Sequence, residues 1–218
     1  MSLHDATLDE IRAALASDVA ANAAFDGWNA RAVSAAAAAH GVDADVAALA
    51  FPGGATDMID AWFAGIDAAM LAAVAPGQLA AMKIRQRIAA LVEKRLDLLA
   101  PNRESFRRAL TILAMPQNLG VAARLAWRSA DVMWRAAGDT ATDYNHYTKR
   151  AILGGVYVAT VQVFLDDDSA GQADSRAFLS RRIDGIMRFE KAKAGLLART
   201  THRPSMSRFI GRLRYPPR

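Results

Sequence analysis

The 218-residue sequence predicts an all-α fold, a bundle of about nine helices with a short amphipathic helix at its C-terminal end. Three observations carry this. The chain is 53% apolar but only 7% aromatic, and the excess is alanine, which favours the helix over every other residue. Apolar residues recur at three- and four-residue spacing along most of the length. Proline occurs only between those periodic segments and at the C-terminal end.

The first helix spans about Thr7 to Ala24, with Leu8, Ile11, Leu15 and Val19 on one face, and the second spans about Asn29 to His40 and stops at Gly41. A short one follows from Asp43 to Ala50, closed by Phe51, Pro52 and two glycines; a longer one runs from about Thr56 to Val74, ended by Pro76 and Gly77. The periodicity then predicts one helix from about Gln78 to Leu99, ended at Pro101, and another with Asn102 as its cap reaching Met115 before Pro116. The remaining helices span about Asn118 to Ala137, Asp143 to Leu165 with Thr142 or Asp143 as cap, and Ala173 to Ala198. The segment Val156 to Phe164 has the β-branched content of a strand. Nothing else in the chain offers a strand to pair with it, so it is assigned helical. Apolar nearly all round, it suits the domain centre or a helix shared with a second subunit of a homodimer. The domain organisation that follows is a single helical domain over 1–198, with 1–55 and 56–198 as its two parts, and a basic tail over 199–218.

The net charge of +5 is unevenly placed. Residues 1–75 hold Arg12 and Arg31 against ten acidic groups, a net of −8, whereas residues 176–218 hold twelve basic residues against Asp184 and Glu190, a net of +10. There is no cysteine, so disulfides, thiolate metal sites and cysteine nucleophiles are excluded. Asp5, Asp9 and Glu10 stand where a secretory or transit signal would be basic, and the longest uncharged apolar run, Ala151 to Leu165, is shorter than the ~20 residues of a membrane span. A ferritin-like di-iron site needs Glu-x-x-His motifs, which the sequence lacks; Glu10, Glu93, Glu104 and Glu190 are its glutamates. It also lacks the phosphate-loop, dinucleotide, zinc-protease and serine-hydrolase motifs. No enzyme activity and no cofactor of its own are expected.

The stretch from Gly27 to Phe51 is laid out as helix, glycine turn, short helix, then Phe-Pro before a long helix, and it resembles the N-terminal part of TetR-type regulators. In such a motif the second helix enters the major groove, with cations neutralising phosphates. Here that helix carries Asp43 and Asp45 and no lysine or arginine, so no nucleic-acid partner is expected. A ligand-sensing regulator of the TetR type is the alternative reading.

A second resemblance spans nearly the whole chain. The segments FDGW (25–28), FPGG (51–54), KIRQRI (83–88), MPQN (115–118), WRSADVMWRAAGDTATDYNHYTKRAIL (127–153) and AFLSRRIDGIMRFEK (177–191) together resemble the COQ-nine family, accessory proteins of ubiquinone biosynthesis. The resemblance implies a TetR-like fold without DNA binding, an internal pocket for a phospholipid or isoprenoid quinone, and docking on a membrane. It further implies a partner, the di-iron demethoxyubiquinone hydroxylase, and a protein peripherally attached to the inner membrane of a bacterium from the cytoplasmic side. The partner surface it implies comprises Asp143, His146, Tyr147, Lys149 and Arg150, with Met133 and Trp134 beside them. His146 stands where the family has tryptophan, a frequent interface anchor.

The apolar stripes that include Trp62, Ile66, Met70, Leu91, Leu113 and Trp127 suit a filled core and a lipid-cavity lining alike; the resemblance implies the cavity. In the tail, Met206, Phe209, Ile210 and Leu213 share one helical face while Arg208 and Arg212 lie off it, the pattern of an interfacial helix. The same face could instead pack back on the domain. The sequence therefore points to a non-enzymatic lipid carrier that sits on a membrane and presents a quinone intermediate to the hydroxylase. A general phospholipid-binding protein is the third reading.

Overall fold

A computed structural model describes residues 3–142 and 144–201, the side chains of 4, 76 and 189–201 aside. Every regular element among the described residues is helical, as the composition predicts. The helices are α1 (Leu8–Asp26), α2 (Ala30–His40), α3 (Ala44–Leu49), α4 (Ala55–Ala72), α5 (Pro76–Ala80), α6 (Ile84–Leu99), α7 (Arg103–Leu113), α8 (Leu119–Ala136), α9 (Tyr144–Leu165) and α10 (Ala173–Thr201). The chain forms two compact units, Met1–Leu179 and Ser180–Arg218, divided within α10.

Local chemistry sets most boundaries. Thr7 and Glu10 form a reciprocal capping box at the start of α1. Gly41 ends α2 in the left-handed region, φ 65°, where a β-carbon is disfavoured. Asp43 caps α3 by accepting from the Asp45 and Val46 amides. Asn102 precedes α7 as expected but makes no side-chain cap bond.

The single helix expected over Gln78 to Leu99 is two. Pro76 opens α5, the first-turn position its missing N–H favours, and the chain breaks after Ala80. The cause is tertiary: Arg87 donates from Nε to the Met82 carbonyl at 2.9 Å, from Nη2 to Ala80 at 3.2 Å and from Nη1 to Ala137 at 2.8 Å. One guanidinium thus satisfies the Ala80 and Met82 carbonyls, which a continuous helix would have paired internally, and ties them to the end of α8.

In the first unit α1 packs on α2 and α4, while α8 packs on α9 and α4 lies between these two groups, touching α6, α7 and α8. At the centre Trp28, Trp62, Phe63, Phe106 and Phe164 form a continuous aromatic cluster with centroid separations of 5.5–6.3 Å. Trp28 Nε1 donates to the Ser105 carbonyl at 3.0 Å, so its polar end is not stranded. The segment Val156 to Phe164 is helical, within α9. This part of α9 is buried along one side, through Leu153, Val156, Tyr157, Thr160, Val161 and Phe164, while Ile152 and Val158 of the same helix are exposed.

The acidic turn before α10 is a structural staple. Asp167 accepts from the Ser169 amide at 2.9 Å and from the Ser175 amide at 2.8 Å, and its carboxylate is buried. Burial opposes its ionisation, but these amides and the two serine hydroxyls outweigh that and hold its carboxyl far below the usual range. In the second unit, residues 180–201 continue α10.

Candidate functional site

Helices α7, α8 and α9, with Phe63 of α4 and Arg95 of α6, line a partly open apolar cavity of about 240 Å³. Its walls are Phe106, Leu110 and Leu113 from α7, Leu119, Ala122, Leu125 and Ala126 from α8, and Val158 and Val161 from α9. The small side chains Ala122 and Ala126 leave the space that larger residues would fill. Leu119, Val158 and Gln162 are exposed and form the rim.

The inner end of this cavity is polar. Arg95 lines it and is 0% exposed. Its Nη1 donates to Asp67, and its Nε donates to the Tyr157 hydroxyl at 2.9 Å. The guanidinium also lies over the rings of Phe63 and Tyr157, at 5.6 and 5.5 Å. Ser129 donates to the other oxygen of Asp67 at 3.4 Å. Burial pushes the Asp67 carboxyl up, against the pull of Arg95 and Arg128, and pushes the Tyr157 phenol up as well.

A second, open groove of about 440 Å³ runs between α8 and α9 over Ala123, Ala126, Trp127, Ala151, Gly154 and Gly155. A β-carbon at either glycine would meet nothing within 4 Å. Beside it stand the aromatic residues Trp127 and Tyr147, 37% and 61% exposed, with ring centroids 6.0 Å apart; His146 abuts Tyr147 at 5.1 Å.

The start of α9 is fixed by a buried ion cluster. Arg150, 2% exposed, donates from Nε to Asp131 at 2.5 Å and from Nη1 to Asp139 at 3.0 Å. Lys149 Nζ reaches Asp139 at 2.7 Å and lies over the Trp134 ring, whose Nε1 donates to the Lys149 carbonyl at 2.9 Å. Burial opposes ionisation of both carboxylates, but the hydrogen bonds from Arg150 with Lys149 or Arg135 outweigh it and hold both below their ordinary value.

These positions correct several expectations from the sequence. Met133 is fully buried and Arg150 is the buried brace just described, so neither presents a side chain to a partner. Trp134 is half-buried and spent on Lys149. His146, also half-buried, faces the Ala141 carbonyl with Nδ1 at 2.9 Å. Tyr147 is on the surface as expected, and Trp127, which the sequence assigned to the cavity, joins it there. Of the proposed cavity residues, Leu113 lines the space, whereas Trp62, Ile66, Met70 and Leu91 are packed in the core away from it. Asp143 and the tail residues Met206, Arg208, Phe209, Ile210, Arg212 and Leu213 lie outside the described residues. His40, at the end of α2, meets Asp18 at 2.5 Å.

Sequence reasoning missed Arg95, Asp67 and Tyr157, although the signal existed. Arg95 falls at the seventh position after Ile88, on the same stripe as Leu91, Val92 and Leu99, and Asp67 falls four after Phe63. A charge on an apolar stripe is a buried charge, and a buried charge needs a partner.

On the α3 surface, Ala44, Asp45, Ala48 and Leu49 are exposed, and the Asp43 carboxylate is occupied as a cap. The face that would meet DNA in a helix-turn-helix therefore carries no cation. Among the described residues no cluster of histidine and carboxylate side chains could hold a metal, and no helix is long and apolar enough to cross a membrane.

Residues 119–190, which span α8, α9 and part of α10, match the COQ9 family model. The chain is 41% identical over 111 residues to the mitochondrial ubiquinone biosynthesis protein COQ9 of Rattus norvegicus, covering 51% of this chain and 36% of that protein. It is 39% identical to the protein of the same name from Homo sapiens over 111 residues, 51% of this chain and 35% of that one. The chain thus spans about a third of the length of these relatives. Its fold is similar to that of a TetR transcriptional regulator from Nitrosomonas europaea, with a TM-score of 0.63 and 24% identity over 80% of this chain and 97% of the other. The resemblance to the COQ-nine family read from the sequence holds over residues 119–190, and the TetR-like fold holds as well.

Proposed function

On the premise that residues 119–190 are a COQ9-family region, we propose that this chain is a non-catalytic accessory protein of ubiquinone biosynthesis, which takes up an isoprenoid lipid and presents it to the demethoxyubiquinone hydroxylase. The observation that carries the reading is the apolar cavity, whose α8 and α9 walls fall within the matched region. A polyisoprenoid substrate stays in the bilayer because every buried methylene is worth about 0.8 kcal/mol. A protein cavity that offers equivalent apolar contact lowers the cost of drawing the lipid out of the bilayer toward an enzyme at the surface. The exposed Trp127 and Tyr147 pair beside the open α8–α9 groove is the surface we assign to the hydroxylase, because solvent-facing aromatic side chains in contact are typical interface anchors. Peripheral attachment to a membrane is assigned to the tail, whose apolar stripe and arginines suit an interfacial helix.

The test is reconstitution: purified hydroxylase on liposomes that contain demethoxyubiquinone, with and without this protein. The proposal expects a higher hydroxylation rate with it. An equal rate, with the protein shown to be folded, contradicts the proposal. The reading leaves DNA binding aside, since α3 presents carboxylate and apolar groups to any approaching phosphate.

A further inference from the structure

The polar end of the cavity has one donor to spare. Arg95 uses Nη1 on Asp67 and Nε on the Tyr157 hydroxyl, while Nη2 is buried and donates to no protein atom among the described residues. The Tyr157 oxygen already accepts from Arg95 and keeps its own hydrogen to donate. Buried donors in native proteins are nearly always paired, and leaving one unpaired costs more than a typical hydrogen bond contributes. Arg95 and Tyr157 both line the cavity, so the acceptor that satisfies them arrives with the ligand.

The charge around this donor decides which acceptor fits. Asp67 pairs with Arg95 and lies 3.7 Å from Arg128, which Asp60 also holds, so two carboxylates face these two guanidiniums. A phosphate or carboxylate would bring an uncompensated charge into an apolar space, which is costly. A neutral carbonyl or phenol oxygen asks only for donors. Size agrees: an apolar cavity of about 150 Å³ holds a benzene, so the 240 Å³ here hold one substituted ring and the first carbons of a tail. The tail then leaves over the exposed Leu119, Val158 and Gln162.

We infer that the cavity binds a ring ketone or phenol oxygen-end first, with Arg95 Nη2 and the Tyr157 hydroxyl holding that oxygen and the alkyl tail crossing the rim. The inference rests on the cavity being the ligand site proposed above, and it adds the orientation and the polar anchor.

Duroquinone and durene share one carbon skeleton, with and without the two ring oxygens, and make the test. Their affinities for the full-length chain, freed of copurified lipid, are measured by ligand-observed NMR. The wild type should bind duroquinone about tenfold more tightly than durene, the scale of one well-made buried hydrogen bond. Tyr157→Phe should lower that preference, and the charge-neutral pair Arg95→Met with Asp67→Asn should abolish it, each read as the ratio of the two affinities within one variant. If the double variant fails to fold, Tyr157→Phe carries the test. Equal affinities in the wild type, or octyl phosphate bound more tightly than duroquinone, overturn the inference. If neither ring binds but lipid is extracted from the purified chain, the anchor is wrong and the carrier reading stands. If no lipid is extracted either, both fail.

Discussion

Arg150→Met separates two roles for one residue. The sequence places this arginine on a partner surface, whereas the structure makes it the brace between α8, the turn after it and the first turns of α9. Methionine keeps most of the volume and removes the cation that Asp131 and Asp139 share. Deleting one partner of a buried ion pair costs about 3–5 kcal/mol. Here the loss is moderated, because Asp131 keeps Arg135 at 2.8 Å and Asp139 keeps Lys149 at 2.7 Å. The expected cost is therefore at the low end, about 3 kcal/mol, or roughly 6–12 °C in Tm for a chain of this size. Urea titration followed by circular dichroism gives the value directly from the shift of the midpoint at constant slope. A change below about 1 kcal/mol, in the range of exposed pairs, would refute the buried-brace argument.

Replacing Trp127 and Tyr147 with serine should weaken capture of the hydroxylase by about tenfold or more, as expected for an aromatic anchor pair, while leaving the melting curve near wild type; surface plasmon resonance checks this. The Asp139 carboxyl titrates below its ordinary 3.8 in the folded chain, so its contribution to stability is complete above 3.8 and is lost as pH falls through the lower folded value. The stability gap between wild type and Asp139→Asn should accordingly be constant above 3.8 and narrow as pH falls below it, as denaturation at stepped pH would show. Replacing Phe209 and Ile210 with serine should abolish binding to anionic liposomes in a flotation assay; unchanged binding would remove the tail from the account.

The helices were legible because alanine content and apolar spacing determine them locally, and the caps at Thr7, Gly41 and Asp43 follow from the same short-range chemistry. The break between α5 and α6 was not, since it depends on Arg87 meeting the carbonyls of Ala80, Met82 and Ala137. The site divides in the same way. Leu113 borders the cavity and Tyr147 lies on the surface, but apolar periodicity cannot tell a residue that fills space, such as Trp62 in the aromatic cluster, from one that borders a void. The cavity arises from a deficit of volume at Ala122 and Ala126, which only the assembled packing of α7, α8 and α9 exposes. Arg150 shows what could have been read further: it lies on the buried face of α9, at three- and four-residue spacings with Leu153, Tyr157 and Val161, and its burial was written in that register.

The central claim is that the cavity carries an isoprenoid lipid. Native mass spectrometry of the freshly purified full-length chain, with organic extraction and identification of whatever is released, tests it most directly. The account predicts a bound quinone or quinone precursor in the wild type and its loss in Ala126→Phe, which fills the cavity, with circular dichroism unchanged. A ligand-free wild type, or the same lipid retained after the cavity is filled, would contradict it.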